Sequence, residues 1–247
     1  MNETLRLQVY LARCGLGSRR YCETLITADR VKVNGHPAIL GCKVKSSDRV
    51  TLDNKTIHLE RQKIYLAINK PRGYVCSNSD PQGRPLAGDL VKDSVRERLF
   101  HVGRLDINSS GLIFYTNDGD FSRLISHPSA GIEKEYLIEA RAEIPEDMLS
   151  NWQEGIRLEG ELLRLKKYAY KSPQKVMLIL DQGRNREIRR VFLHYAVDLK
   201  RIHRVRIGCV RLAKLPSRGF RFLSRKEVDW FLHKGTPKKE QSFGRSD

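Results

Sequence analysis

Cysteine is scarce and unpaired in this sequence: there are five, at positions 14, 22, 42, 76 and 209, with no C-x-x-C spacing. An odd, scattered set excludes a disulfide framework and a cysteine zinc site, and is expected of a chain kept in a reducing cytoplasm. The seven histidines lack metal-ligand spacing as well. No run of about 18 apolar residues occurs, so no membrane span is expected. Met1-Asn2-Glu3-Thr4 has no basic start followed by an apolar segment, so no signal peptide is expected. A Walker loop, a G-x-G-x-x-G turn after a strand, H-E-x-x-H and G-x-S-x-G are all missing. Their absence removes the usual cradles for nucleotides and the usual zinc and serine hydrolase sites.

Acid is the scarcer sign of charge, with 29 Asp+Glu against 46 Lys+Arg and a formal net charge of +17. The excess is local. Residues 182–226 hold fourteen bases and only Glu187 and Asp198 as acids, while residues 1–60 hold ten bases and six acids. Such a density points to a polyanionic partner, because neutralising phosphates releases condensed counterions. A merely solvated basic surface is the plainer alternative. With 40% hydrophobic residues, the 247-residue chain has enough material for one medium domain and a small one.

The first sixty residues read as a small unit. Leu7, Tyr10, Leu11 and Cys14 recur at helical spacing, Gly15 and Gly17 end that helix, and Ser18 is suited to cap a second from Arg19 to about Ala28. Arg30 to Val33 alternates as a strand, closed by an Asn34-Gly35 turn. Val44 to Leu52 adds strand material with Asp48 in a turn. This order, with Gly17-Ser18-Arg19-Arg20 and Val31-Lys32-Val33-Asn34-Gly35, resembles an S4-type RNA-binding domain over about residues 5–52. The resemblance implies that Arg19, Arg20 and Lys32 contact phosphates of folded RNA, recognised by shape. The polar stretch Asp53 to Lys63 is expected to be a linker.

The remainder predicts a larger α+β unit with a mixed, largely antiparallel sheet. Strands are expected at 64–69, 112–115, 136–139, 156–170, 176–180, 199–207, 209–212 and 220–222. Helices are expected over about 93–99, from an Asp120 cap to Ser126, from Pro145 to Trp152, over 188–195, and after the capping-box sequence Ser224-Arg225-Lys226-Glu227. The domains are thus expected at 1–60, including the linker, and 61–234, with residues 235–247 as a disordered tail.

One carboxylate stands out. Asp106 sits in the glycine-flanked loop of Gly103-Arg104-Leu105-Asp106, ahead of the apolar run from Leu112 to Tyr115. An Arg-x-Asp in a loop is by itself more often a solvated ion pair. Five segments in order change its meaning: Asn69-Lys70-Pro71-Arg72-Gly73, Gly103-Arg104-Leu105-Asp106 with Ser109-Ser110-Gly111-Leu112, Glu135-Tyr136, residues 183–190, and Arg204-Val205-Arg206-Ile207-Gly208 with Leu212 and Leu215. Together with the S4-like unit, they resemble the RsuA-like group of ribosomal RNA pseudouridine synthases. Asp80 to Pro85 and Ile107-Asn108-Ser109 are most similar to the branch that acts on the large subunit. Glu187 stands where that family usually has Gln, and Val191 where Met is usual.

The resemblance implies a cofactor-free, metal-free isomerase. Asp106 attacks or stabilises the sugar carbon, Arg189 pairs with Asp106, and Tyr136 stacks on the uracil and helps move the C5 proton. The base must leave its stack to be reached, so Arg104 is the candidate to fill the gap. Lys70, Arg184, Arg186 and Arg190 join the S4 residues as substrate-binding positions, and Ile68 and Leu180 are expected to line the pocket. The implied partner is ribosomal RNA, naked or in a partly assembled subunit, bound by a monomer away from any membrane. A small-subunit target, a non-catalytic rRNA-binding or ribosome-assembly factor, and a nuclease or glycosylase using Asp106 stay open as rivals.

Overall fold

The computed structural model describes residues 4–60 and 62–234; the tail expected over 235–247 lies outside the described residues. Near the N-terminus, β1 (Leu5–Arg6) leads into α1 (Leu7–Arg13), and α2 (Arg19–Thr27) follows with Ser18 Oγ accepting from the Tyr21 amide at 3.1 Å. β2 (Val31–Val33) and β3 (His36–Pro37) form the hairpin, β4 (Lys43–Val44) pairs with β1, and β5 (Val50–Leu52) pairs with β2. The hairpin turn has Asn34 at φ +51° and Gly35 at φ +88°, the left-handed pair that a tight two-residue turn requires. Leu7, Leu11, Cys22, Ile26, Val31, Val44 and Val50 close a small core of their own.

The expected linker begins too early. β6 (Lys55–Thr56) hydrogen-bonds to β5 and the Ile57 amide donates to the Val50 carbonyl at 3.0 Å, so the small sheet claims residues through 57. The left-handed Asp53 (φ +48°) and Asn54 (φ +63°) make another hairpin turn rather than a spacer.

The larger unit is built on nine strands. Its elements are β7 (Tyr65–Lys70), β8 (Phe100–Val102), β9 (Ser110–Thr116), α3 (Gly119–Ser126), β10 (Lys134–Ala140), α4 (Glu146–Glu154), β11 (Ile156–Leu158), β12 (Glu161–Leu163), β13 (Lys167–Ser172), β14 (Lys175–Leu180), α5 (Glu187–His194), β15 (Leu199–Ile207), β16 (Val210–Arg211), β17 (Phe220–Phe222) and α6 (Arg225–Lys234). The main path runs β13-β14-β10-β15-β9-β7-β17, with β16 beside β15 and β8 beside β9, while β11 and β12 form a separate hairpin. Among the paired strands of the described residues β15–β9 is parallel and the other pairings in this sheet are antiparallel, as the α+β reading expects; an isolated parallel bridge joins Val75 and Leu86 outside it.

Both faces of this sheet are covered, which is why β7 and β9 read as continuous apolar runs. On one side Leu66, Ile68, Ile113 and Tyr115 pack with Trp152 of α4 and Val191 and Phe192 of α5. On the other, Ala67, Leu112 and Phe114 pack with Phe121 and Ile125 of α3 and Val228 and Phe231 of α6. The capping box of α6 is formed, with Ser224 N donating to Glu227 Oε2 at 2.8 Å and Glu227 N to Ser224 Oγ at 3.3 Å.

Two local expectations fail. Residues 93–99 are not helical: after a single 3-10 turn at Ala87–Leu90 the Val91 and Ser94 amides bond carbonyls three residues back, the turns end at Ser94, and residues 95–99 are irregular. The cap of α3 is Asp118, not Asp120: Asp118 Oδ1 accepts from the Asp120 amide at 3.0 Å and from the Phe121 amide. Among the described residues no helix is long and apolar enough to cross a membrane.

Candidate active site

β9 shares one of its edges between two strands. β15 pairs with it at Ser110 and Gly111, and β8 pairs with it from Phe114 to Thr116. The gap between them is filled by Arg204, whose Nε donates to the Leu112 carbonyl at 2.6 Å. Gly111, at φ +105°, is what lets the two strands approach, since a Cβ there would lie 2.2 Å from the Arg204 carbonyl oxygen and 2.7 Å from its nitrogen. The loop from Gly103 to Ser109 springs from this split edge, and Asp106 lies at its turn, where the Ser109 amide donates to the Asp106 carbonyl at 3.0 Å.

Arg189, in the first half of α5, meets the loop twice. Its Nε donates to Asp106 Oδ2 at 2.9 Å and its Nη2 to Ser109 Oγ at 3.2 Å. Asp106 keeps 38% of its side chain exposed against 22% for Arg189, so the carboxylate is gripped from behind and open in front. Tyr136, buried on β10, completes the set, with the Arg204 guanidinium 6.0 Å from its ring centroid. Asp106, Tyr136 and Arg189 line one small cavity of about 90 Å3, together with Leu105, Leu180 and Ile202. A cleft of about 440 Å3 adjoins it, sharing Arg104, Tyr136 and Arg184 as walls and adding Lys134, Asp181 and Arg204.

The other expected positions divide. Arg104, Arg184 and Arg186 are exposed at the rim, with Arg186 in the left-handed conformation (φ +48°) just before α5. Leu180 lines the cavity; Ile68 is wholly buried in the core below it. Arg19 and Arg20 are exposed at the start of α2, and Lys32 donates to Asn54 Oδ1 at 3.1 Å. Arg19 borders a cleft of about 460 Å3 between the small unit and α3, where Arg13 Nη2 and Asp120 Oδ2 form an ion pair at 2.6 Å.

Lys70 and Arg190 are turned elsewhere. Lys70 is fully buried, its ammonium donating to the carbonyls of Pro71 at 2.9 Å and Ser109 at 2.8 Å, and burial pulls its pKa down to about 8. It ties the Asp106 loop down from inside and presents no donor to a ligand. Arg190 reaches Glu161 Oε2 at 2.5 Å, Glu159 Oε2 at 3.1 Å and the Leu158 carbonyl at 3.0 Å, binding α5 to the β11–β12 hairpin. Those three acceptors lie on that hairpin and a fourth, the Asn185 carbonyl at 3.4 Å, lies just before α5, which leaves the guanidinium committed there.

Sequence reasoning gave no site role to Ile202, Lys134 and Asp181, and it noted Ser109 and Arg204 only as parts of motifs. Ser109 had a usable signal, three residues after Asp106 in the same segment. Lys134 and Asp181 had none, because only the pairing of Lys134 with Leu180 brings them together. Burial draws the Lys134 ammonium down to about 8 despite Asp181 and Glu187 nearby.

A carboxylate held by an arginine that also holds Ser109 of the same loop, open to a pocket with a buried tyrosine as wall and arginines at its rim, suits nucleophilic or electrostatic catalysis on a polyanion. Comparison with known proteins agrees. The model of the RNA pseudouridylate synthases matches residues 64–194, and that of the S4 domain matches residues 5–50. An uncharacterised RNA pseudouridine synthase of Borreliella burgdorferi is 46% identical over 214 residues, 85% of this chain and 86% of that protein. The ribosomal large subunit pseudouridine synthase B of Vibrio cholerae is 35% identical over 235 residues, 91% of this chain and 73% of that protein. A pseudouridylate synthase crystal structure superposes with a TM-score of 0.68 at 28% identity, covering 92% of this chain and 99% of that one. The chain belongs to the RNA pseudouridylate synthase family, with an S4 domain ahead of its catalytic domain.

Proposed function

We propose that this protein converts a specific uridine of large-subunit ribosomal RNA to pseudouridine, with Asp106 as its catalytic carboxylate. The reading rests on one observation: Asp106, Tyr136 and Arg189 come from three separate segments and line a single cavity. In this reaction the N1–C1′ bond breaks, the freed uracil turns, and a C5–C1′ bond forms; C5 loses its proton and N1 gains one. Asp106 attacks or stabilises C1′ while Arg189 holds it in place. Tyr136 stacks on the turning base. Arg104 fills the place the uridine leaves, and Arg184 and Arg186 at the rim hold the flanking phosphates. Arg19, Arg20 and Lys32 grip the RNA at a distance, so that the S4 unit adds affinity and the pocket adds chemistry. In this reading a single copy works in the cytoplasm on rRNA, free or in a forming subunit.

Chemical mapping of pseudouridine in rRNA tests it, comparing cells that carry the intact protein with cells that carry Asp106→Ala. The expected result is one large-subunit uridine that is modified only with the intact protein, while the Ala variant still binds RNA. A site modified equally by both would overturn the catalytic reading. A dependent site in small-subunit rRNA would replace the target, and no dependent site would leave a binding factor.

A further inference from the structure

Glu187 opens α5 two residues before Arg189 and lines the same cavity as Asp106 and Tyr136. It is 3% exposed, and neither carboxyl oxygen has a hydrogen-bond partner, although the Arg184 backbone amide lies near enough to favour the ionised form. Buried polar groups are nearly always satisfied, and leaving one bare costs about 1–3 kcal/mol. A carboxyl buried in this pocket with only the Arg184 amide near it therefore points to a partner that arrives with the substrate.

We propose that Glu187 is a specificity-determining residue whose carboxyl pairs with the hydrogen-bonding edge of the uracil in the catalytic pocket. This inference rests on the uridine isomerase reading above. The free edge of uracil carries the N3–H donor between the O2 and O4 acceptors. A protonated carboxyl matches it with two bonds, its O–H donating to a ring carbonyl and its C=O accepting from N3–H. Burial raises the Glu187 pKa to about 7, so near neutrality the group holds the proton that this pairing needs. The ionised form keeps only the acceptor half of the match.

The charged groups around it come from four sides. Arg184 precedes the helix and Arg190 lies on it, both favouring ionisation, while Asp181 after β14 opposes it. Lys134 on β10 feels the Glu187 charge and itself titrates near 8. Asp106 and Arg189 complete the wall. A glutamine at position 187 offers the same donor and acceptor pair at every pH.

The test compares the full-length wild type, Glu187→Gln and Glu187→Ala, measuring tritium release from a large-subunit rRNA transcript labelled with [5-3H]uridine. At pH 6.0 the Gln variant should match the wild type. At pH 8.5 it should exceed the wild type by about fivefold or more in kcat/KM, since one ring hydrogen bond is lost only from the wild type. The Ala variant should lose about tenfold or more in kcat/KM at pH 6.0 with an unchanged melting profile. The Gln variant removes the Glu187 charge that Lys134 feels, so the comparison is repeated with Lys134→Met in both proteins, which takes the ammonium out of the pH profile. Identical pH profiles for those two would overturn the inference, and so would an Ala variant with undiminished kcat/KM. If the Ala variant does not fold, the wild type and Gln comparison decides alone. A folded wild type that releases no tritium overturns the isomerase reading and this inference with it.

Discussion

Arg189 bonds to Asp106 across 83 residues of sequence, and it does so through Nε, leaving Nη2 to hold Ser109 in the same loop. The planar guanidinium thus fixes two points of one turn in a set geometry, which a freely rotating ammonium at the end of a shorter reach does not reproduce. Arg189→Lys should therefore keep the charge and lose the geometry, with kcat falling about 100-fold and RNA affinity nearly intact. Asp106→Asn should fall further, by about a thousandfold or more, because it removes the carboxylate proposed to react. Single-turnover conversion and filter binding of the same transcript separate the two effects.

Lys70 supports that loop from beneath, through the Ser109 carbonyl. Lys70→Met fills the same space without the donor, so the loop should lose its inner tether. Expected is a drop in kcat of up to about 100-fold, the cost of an ångström-scale misplacement, with KM for RNA little changed. A rise in KM with kcat intact would show instead that Lys70 acts on the substrate.

Gly111 admits the backbone of Arg204 where a side chain would collide with it. Gly111→Ala combines a forbidden φ with a backbone clash, so neither a rotamer change nor a small shift relieves it. Its expected cost is about 3 kcal/mol or more in denaturant unfolding, together with loss of activity.

The buried Glu187 carboxyl has a consequence for stability. Its pKa is raised to about 7 from an ordinary 4.5, so between those values the unfolded chain gives up a proton that the folded chain keeps. Stability contributed by this residue therefore falls as pH rises from about 4.5 to 7 and stays low above. Relative to the wild type, Glu187→Gln should be neutral near pH 4 and more stable at pH 8 by on the order of 3 kcal/mol. Urea unfolding at the two values, followed by tryptophan fluorescence, reads the difference.

Arg19 and Arg20 stand exposed at the head of α2. Replacing both with Ala should weaken RNA binding and reduce the slope of log affinity against log salt by about 2, while the rate of the bound complex is spared. An unchanged slope would remove them from the RNA interface.

Much of this was legible in the chain, for physical reasons that differ by element. Asn34-Gly35, Ser18 and Ser224 with Glu227 declare turns and caps locally, and the structure places each as the sequence implies. Leu66 to Asn69 and Leu112 to Tyr115 read as buried strands because helices cover both faces of the sheet. Direction was the hard part. Arg189 and Arg190 are neighbours in sequence, yet the helix turns them about 100° apart, one to the pocket and one to the β11–β12 hairpin. Lys70 sits before a proline in what reads as an exposed loop, but its side chain goes inward to two carbonyls. No local pattern could reveal the turn-to-turn bonding over 87–94, or the hairpin strand at Lys55–Thr56, since both are settled by bonds to neighbours.

The place of β15 between β10 and β9 sets an order of assembly during synthesis. Asp106 and Tyr136 leave the ribosome well before residues 199–207, and until that strand arrives no strand-to-strand hydrogen bonding links the β7–β9 pair to the β14–β10 pair among the described residues. The insertion must pass between two preformed edges, a long-range step that is slow by nature. A nascent or truncated chain ending before residue 199 would therefore carry Asp106 and Tyr136 on strands that no shared ladder aligns, and it is expected to be inactive until the strand that aligns them has been made.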